Sequence, residues 1–194
     1  MKKVISLFAG ILLIASLGYS AELISSGNME AWSTGLPTGW TNIQVDGSGT
    51  ASATPTATIT QEATDIHGGT SSVKITRAAS SWTYRYCLHS NSFTIPSSGD
   101  VSYSFWMKRV PSSTNCRIYI ATSADAGTTW VADMAKVAQA SADGWQNLTG
   151  TWSLTAGTLY RLTVHDINVG DMYLDDISLT TASVPVELSD FMAE

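Results

Sequence analysis

Two carboxylates far apart in the chain have the setting for cation chemistry. In the run Tyr173-Leu174-Asp175-Asp176-Ile177-Ser178-Leu179, strict alternation puts Tyr173, Ile177 and Leu179 on one strand face, with Asp175 on the same apolar side. A carboxylate there is costly unless it is hydrogen-bonded, paired or bound to a cation. Near the other end, Gly27-Asn28-Met29-Glu30-Ala31-Trp32 offers Glu30 among backbone carbonyls. Calcium accepts about six to eight oxygens in irregular geometry, so Glu30 and Asp175 are the candidate metal ligands. A β-bulge, with Asp175 solvated or bonded to backbone amides, is the competing reading.

A second set of residues suits recognition. Sugars present C–H faces that stack on Trp and Tyr, and their hydroxyls hydrogen-bond to charged and amide side chains. Trp106, Lys108, Arg117, Tyr119, Arg161 and His165 all alternate away from apolar neighbours. If their strands are neighbours in one sheet, they form one polar surface with two aromatic platforms; a sheet face covered by a loop is the alternative. Trp82 and Tyr84 share a face with Tyr86 and Leu88, and serve either as core or as a reserve platform. Catalytic chemistry has weaker support. His67, His89 and His165 have no nucleophile or carboxylate at triad-like spacing and form no metal-type cluster, so no enzyme is expected. Ser123-Ala124-Asp125-Ala126-Gly127-Thr128-Thr129-Trp130 matches the Asp-box turn of sialidase propellers. A single copy reads as a structural hairpin turn.

These side chains need strands to position them. The clearest run, 101–108, sends Val101, Tyr103, Phe105 and Met107 one way and Ser102, Ser104, Trp106 and Lys108 the other. Similar runs cover 56–62, 71–77, 81–88, 92–95, 115–122, 145–154, 158–166 and 172–179, bounded by Gly, Pro, Ser and Asp. Residues 131–142 come nearest to a helix but lack a clean 3.6-residue stripe. So many short strands predict an all-β, two-sheet antiparallel sandwich or jelly roll.

Composition sets the compartment and excludes partners. Lys2 and Lys3 precede an apolar run over 4–17 and the small-residue site Gly18-Tyr19-Ser20-Ala21, the pattern of a signal peptide over 1–21. The formal charge of the chain is −6, and removing Lys2 and Lys3 with that segment makes it −8. An acidic chain without a basic stretch argues against nucleic acid and anionic membrane surfaces, and no membrane span is expected after cleavage. Cys87 and Cys116 are the two cysteines, which in an exported chain read as one disulfide.

Gly27-Asn28-Met29-Glu30, Gly39-Trp40, His67-Gly68-Gly69-Thr70-Ser71-Ser72-Val73-Lys74-Ile75, Tyr103-Ser104-Phe105-Trp106-Met107-Lys108 and the Asp175-Asp176 strand together resemble the galactose-binding-like jelly rolls. The similarity is to carbohydrate-binding modules of families 4, 9 and 22. That resemblance implies a structural calcium at Glu30 and Asp175, and a domain over 22–182. Val184-Pro185-Val186-Glu187-Leu188-Ser189-Asp190-Phe191 resembles linkers before C-terminal domains of bacterial surface proteins, so 183–194 reads as a linker or the start of a further module. The expected function is non-catalytic binding of a polysaccharide or cell-surface glycan by a secreted or surface-attached protein. A neutral glycan is preferred because the charge of −8 disfavours polyanions at long range, although Lys108, Arg117 and Arg161 could reverse that locally. A structural or adhesive sandwich without a soluble ligand is the alternative.

Overall fold

The computed structural model describes residues 20–46, 56–80, 83–111 and 116–181. Twelve strands follow in chain order: β1 (Trp32–Ser33), β2 (Leu36–Pro37), β3 (Trp40–Thr41), β4 (Ala57–Glu62), β5 (Ser72–Arg77), β6 (Tyr86–Ser90), β7 (Gly99–Val110), β8 (Cys116–Ser123), β9 (Val131–Ala140), β10 (Gln146–Leu154), β11 (Leu159–Asp166) and β12 (Gly170–Thr181). There is no helix among the described residues; 131–140 is β9. The first sheet has the order β10-β7-β12-β5-β4 and the second β3-β6-β11-β8-β9. Every pairing is antiparallel. This is the expected all-β sandwich.

Period-two patterning explains which faces meet. From β7, Val101, Phe105 and Met107 are buried; from β8, Ile118 and Ile120; from β11, Leu162 and Val164; from β12, Met172, Leu174, Ile177 and Leu179. They join one continuous core between the sheets. The runs of β5, β7 and β11 each continue on to a buried charge. Arg77 ends the Val73 and Ile75 face, Arg109 follows Phe105 and Met107, and Asp166 follows Leu162 and Val164. Asp166 lies between the two guanidiniums, 3.7 Å from Arg77 Nε and 3.6 Å from Arg109 Nε, with all three side chains at zero exposure. The triad bridges the sheets, since β5 and β7 belong to the first and β11 to the second. Burial pushes the Asp166 carboxyl up, and the charges of Arg109 and Arg77 act against that rise.

The expected disulfide is absent: Cys87 and Cys116 are free, buried thiols. Cys87 is on β6 and Cys116 on β8, and β11 lies between those strands. Two strand spacings put their backbones about 9–10 Å apart, beyond disulfide reach. Burial pushes the Cys87 thiol up to about 12 and that of Cys116 well above its usual value.

Candidate functional site

The six residues expected to share one surface are divided between two sheets. Trp106 and Lys108 lie on β7 of the first sheet. Arg117 and Tyr119 on β8, with Arg161 and His165 on β11, lie on adjacent strands of the second. The single-surface expectation is therefore corrected, because alternation assigns faces without assigning sheets. Trp82 falls outside the described residues. Tyr84 is half-buried, and its carbonyl accepts a hydrogen bond from Arg77 Nη2 at 3.4 Å.

On the first sheet, the loop after β4 covers Trp106. His67 stacks on the indole with ring centroids 3.5 Å apart and planes 16° from parallel. Trp145 meets the His67 ring edge-on at 6.0 Å, and Lys108 is tied to Asp65. That stacking occupies the indole face a sugar would need. Three carboxylates hold the loop down. Glu62 Oε1 accepts from the amides of Ala63, Thr64 and Asp65 and from the Thr64 hydroxyl, which holds its carboxyl down at about 2. Asp175 Oδ2 accepts from His67 N at 2.9 Å and Gly68 N at 3.0 Å. Glu30 Oε1 accepts from Thr70 N at 2.8 Å and Ser71 N at 3.1 Å, while Oε2 takes the Thr70 hydroxyl. The Thr70 hydroxyl, then its amide, lower the Glu30 carboxyl. Gly69, at φ +67°, passes so close that a Cβ there would stand 2.1 Å from Glu30 Oε1.

Asp175 does not share the face of Ile177 and Leu179. Its partner across the ladder is Trp106, and the register shifts between Asp175 and Ser178. Asp176, at φ 44°, is the turning point of this bulge, so Tyr173 and Asp175 alternate outward while Ile177 and Leu179 return to the core. The pair expected to bind calcium does meet across one loop. The groups facing it, however, are amide and hydroxyl hydrogens, and calcium requires an oxygen shell. Among the described residues no three His, Cys, Asp or Glu side chains are grouped to hold a metal ion. As arranged, Glu30 and Asp175 staple the loop between β4 and β5.

The outward face of the second sheet has a different character. Across the ladder Thr163 pairs with Tyr119, His165 with Arg117, and Arg161 with Ala121. Val137 pairs with Tyr119 and Ala132 with Ala121 from β9, while His165 pairs with Tyr86 from β6. The rings of Tyr86, Tyr119 and His165 meet edge to face at centroid distances of 5.3–6.1 Å. Beside them is a small cavity lined by Val45, Asp46, Tyr86, Ala121, Ala132 and Thr163, with Trp130 and Arg161 completing it. The Arg161 guanidinium sits 4.4 Å from the Trp130 ring centroid. Arg161 Nε and the Tyr86 hydroxyl are both buried without a hydrogen-bond partner.

Local chemistry fixes this arrangement. In the Asp-box turn, Asp125 accepts from Thr129 N at 2.8 Å and from its hydroxyl at 2.6 Å, Ser123 Oγ accepts from Gly127 N, and Trp130 Nε1 donates to Gly127 O. The turn works structurally, as expected, and it also aims Trp130 at the sheet beneath Arg161. The sequence pattern puts Tyr86 on one aromatic face with Trp82 and Tyr84 but leaves Trp130 to turn packing; its place directly after the turn is the signal that points to it. Arg117 and Arg161 put positive charge on this face. Burial lowers the Arg161 guanidinium to about 10. Burial and the charge of Arg161 push His89 down to about 3, keeping it neutral between Thr163 and the Ile43 carbonyl. Arg117 donates to Gln139 at 2.7 Å and to the Tyr119 hydroxyl at 3.0 Å.

No family model matches the chain, and no curated protein does. Solved structures do match. One is the N-terminal endo-1,4-β-D-xylanase 10B of Clostridium thermocellum, CBM22-1–GH10 modules complexed with xylohexaose: TM-score 0.52, 14% identity, covering 85% of this chain and 29% of that one. A family 4 carbohydrate-binding module gives TM-score 0.54 and 15% identity over 81% of this chain and 98% of its own. The enzymatically active domain of tailspike protein 4 of bacteriophage CBA120 gives TM-score 0.57 and 13% identity over 81% of this chain, which spans 21% of that protein. At such identities the likeness shows the fold: a jelly-roll sandwich of the kind seen in carbohydrate-binding modules.

Proposed function

We propose that this is a secreted, non-catalytic carbohydrate-binding module. On this reading residues 1–21 are a signal peptide, 22–182 the module, and 183–194 a linker or the start of a following module. The module holds a polysaccharide or cell-surface glycan on the outward face of the second sheet. The observation that carries the reading is the pairing of Trp130 with Arg161 at a cavity where Arg161 Nε and the Tyr86 hydroxyl lack partners. Buried polar atoms are normally satisfied, so a ligand that opens this cavity gains two unsatisfied partners there. The presence of xylohexaose in one structural relative supports a polysaccharide as the ligand class. An open face that must desolvate sugar hydroxyls binds weakly, with dissociation constants on the order of micromolar to millimolar.

One observation favours the structural or adhesive reading instead. Tyr119 and Tyr86 are only 2% and 3% exposed, so neither presents a ring for stacking. Trp130 and Arg161 then have to carry the contact. Affinity electrophoresis in gels containing xylan, mixed-linkage β-glucan or an acidic polysaccharide decides between the two. Wild type is expected to be retarded in at least one gel, Trp130→Ala to lose that retardation, and Lys108→Gln on the other sheet to keep it. Unretarded wild type in every gel would establish the structural reading. Loss on Lys108→Gln, with Trp130→Ala unaffected, would move the site to the first sheet.

A further inference from the structure

The cations of this protein are distributed unevenly among its carboxylates. On the first sheet Lys74 pairs with Asp171 and Lys108 with Asp65; in the core Arg77 and Arg109 share Asp166; at the rim Lys136 pairs with Asp133. Arg117 and Arg161 enter none of the ion pairs among the described residues. Both lie on the outward face of the second sheet. Arg161 is also desolvated enough to lower its guanidinium to about 10. A cation withdrawn from water without a counter-charge is unfavourable, and an incoming anion removes that penalty.

We infer that the glycan held by this face carries carboxylates: the ligand is a uronate-containing polysaccharide, with Arg161 and Arg117 as its specificity-determining residues. The inference rests on the proposed glycan-binding reading and names its substrate class. Arg161 and His165 are four positions apart on β11, about 13 Å at about 3.3 Å per residue. His165 is the ladder partner of Arg117. The two guanidiniums are thus spaced along one face to meet carboxylates on separate sugar units, with Tyr119 and Thr163 between them. Each has donors to give. Arg161 is only half-buried and none of its nitrogens enters an ion pair among the described residues, and Arg117 uses Nε and Nη1 on Gln139 and Tyr119, leaving Nη2. A planar guanidinium matches a carboxylate through paired N–H donors, which a sugar hydroxyl cannot do. Asp46 borders the same cavity, and Asp133 is neutralised by Lys136. The only other histidine packed on this face besides His165, His89, is neutral.

The test compares each of glucuronoxylan, polygalacturonate and alginate with its own carboxyl-reduced, neutral counterpart by affinity electrophoresis and isothermal titration calorimetry. Wild type is expected to bind at least one native polymer ten-fold or more tightly than its reduced form. Arg161→Gln should remove that preference while keeping the affinity for the reduced polymer, and Arg161→Lys should restore part of it. Arg117→Gln serves as a second variant should Arg161→Gln melt early. Equal affinity for native and reduced polymers overturns the inference and leaves glycan binding standing. Binding to no acidic or neutral polymer overturns the glycan reading itself.

Discussion

Replacing Asp166 by Asn should be the most destructive single-atom-scale change in the core. The carboxylate is fully buried between Arg77 and Arg109, which are also fully buried. Asn keeps the volume and removes the only negative charge, leaving two guanidiniums facing each other across the sheets. Breaking a buried ion pair by removing one partner costs about 3–5 kcal/mol. For a domain of this size each kcal/mol lowers the melting temperature by roughly 2–4 °C, so the expected drop is roughly 6–20 °C. Against a typical total stability of about 5–15 kcal/mol, that is a large share. Arg77→Met is the control. It leaves Asp166 balanced by Arg109, whose guanidinium is anchored by the carbonyls of Val110, Asn168, Val169 and Asp171. It removes the hydrogen bonds that Arg77 gives to the Thr56 hydroxyl and the Tyr84 carbonyl, a loss of about 1–3 kcal/mol. Circular dichroism melts and urea titrations of the three proteins measure the order. An Asp166→Asn variant as stable as wild type, or more stable than Arg77→Met, would refute the charge argument.

Two further outcomes follow from the same geometry. Glu30→Gln removes a charged acceptor from Thr70 and Ser71 and should lower the melting temperature by a few degrees, whereas chelator should leave wild type unchanged; a chelator-induced fall abolished in Asp175→Ala would replace the staple with a calcium site. Thiol titration of the exported protein should count two thiols in denaturant and none reacting in the native state, because Cys87 and Cys116 are buried with thiols held protonated; a count of zero in unreduced denaturant would show a disulfide instead.

Much of the architecture could be read in advance because alternation is a local property. The run 101–108 announced its buried face through Val101, Phe105 and Met107, and the structure buries those residues. Which strands become neighbours is a non-local property, decided by pairing across the whole chain. Trp106 and Tyr119 looked alike by pattern, yet β7 and β8, consecutive in sequence, belong to different sheets. The buried triad was hidden for another reason. Val73-Ile75-Arg77, Phe105-Met107-Arg109 and Leu162-Val164-Asp166 each place a charge at the end of an apolar alternation. Each alone reads as the point where a strand reaches solvent. Only their convergence turns three surface-like endings into one buried, mutually compensating group.

Asp175 shows how one residue's conformation can redirect such a reading. Perfect alternation through 173–179 would have buried a carboxylate in the apolar core, which made a cation attractive as compensation. The left-handed backbone of Asp176 inserts an extra residue and reverses the phase, so the carboxylate leaves the core and still has zero exposure. It is covered by the loop it binds, and the amides of His67, Gly68 and Asp176 satisfy it. Burial raises the Asp175 carboxyl and those amides oppose the rise. The loop in turn lays His67 over Trp106. The bulge therefore closes the first sheet's outward face as a stacking platform, which is why the proposed binding face is the second sheet, with Trp130 and Arg161.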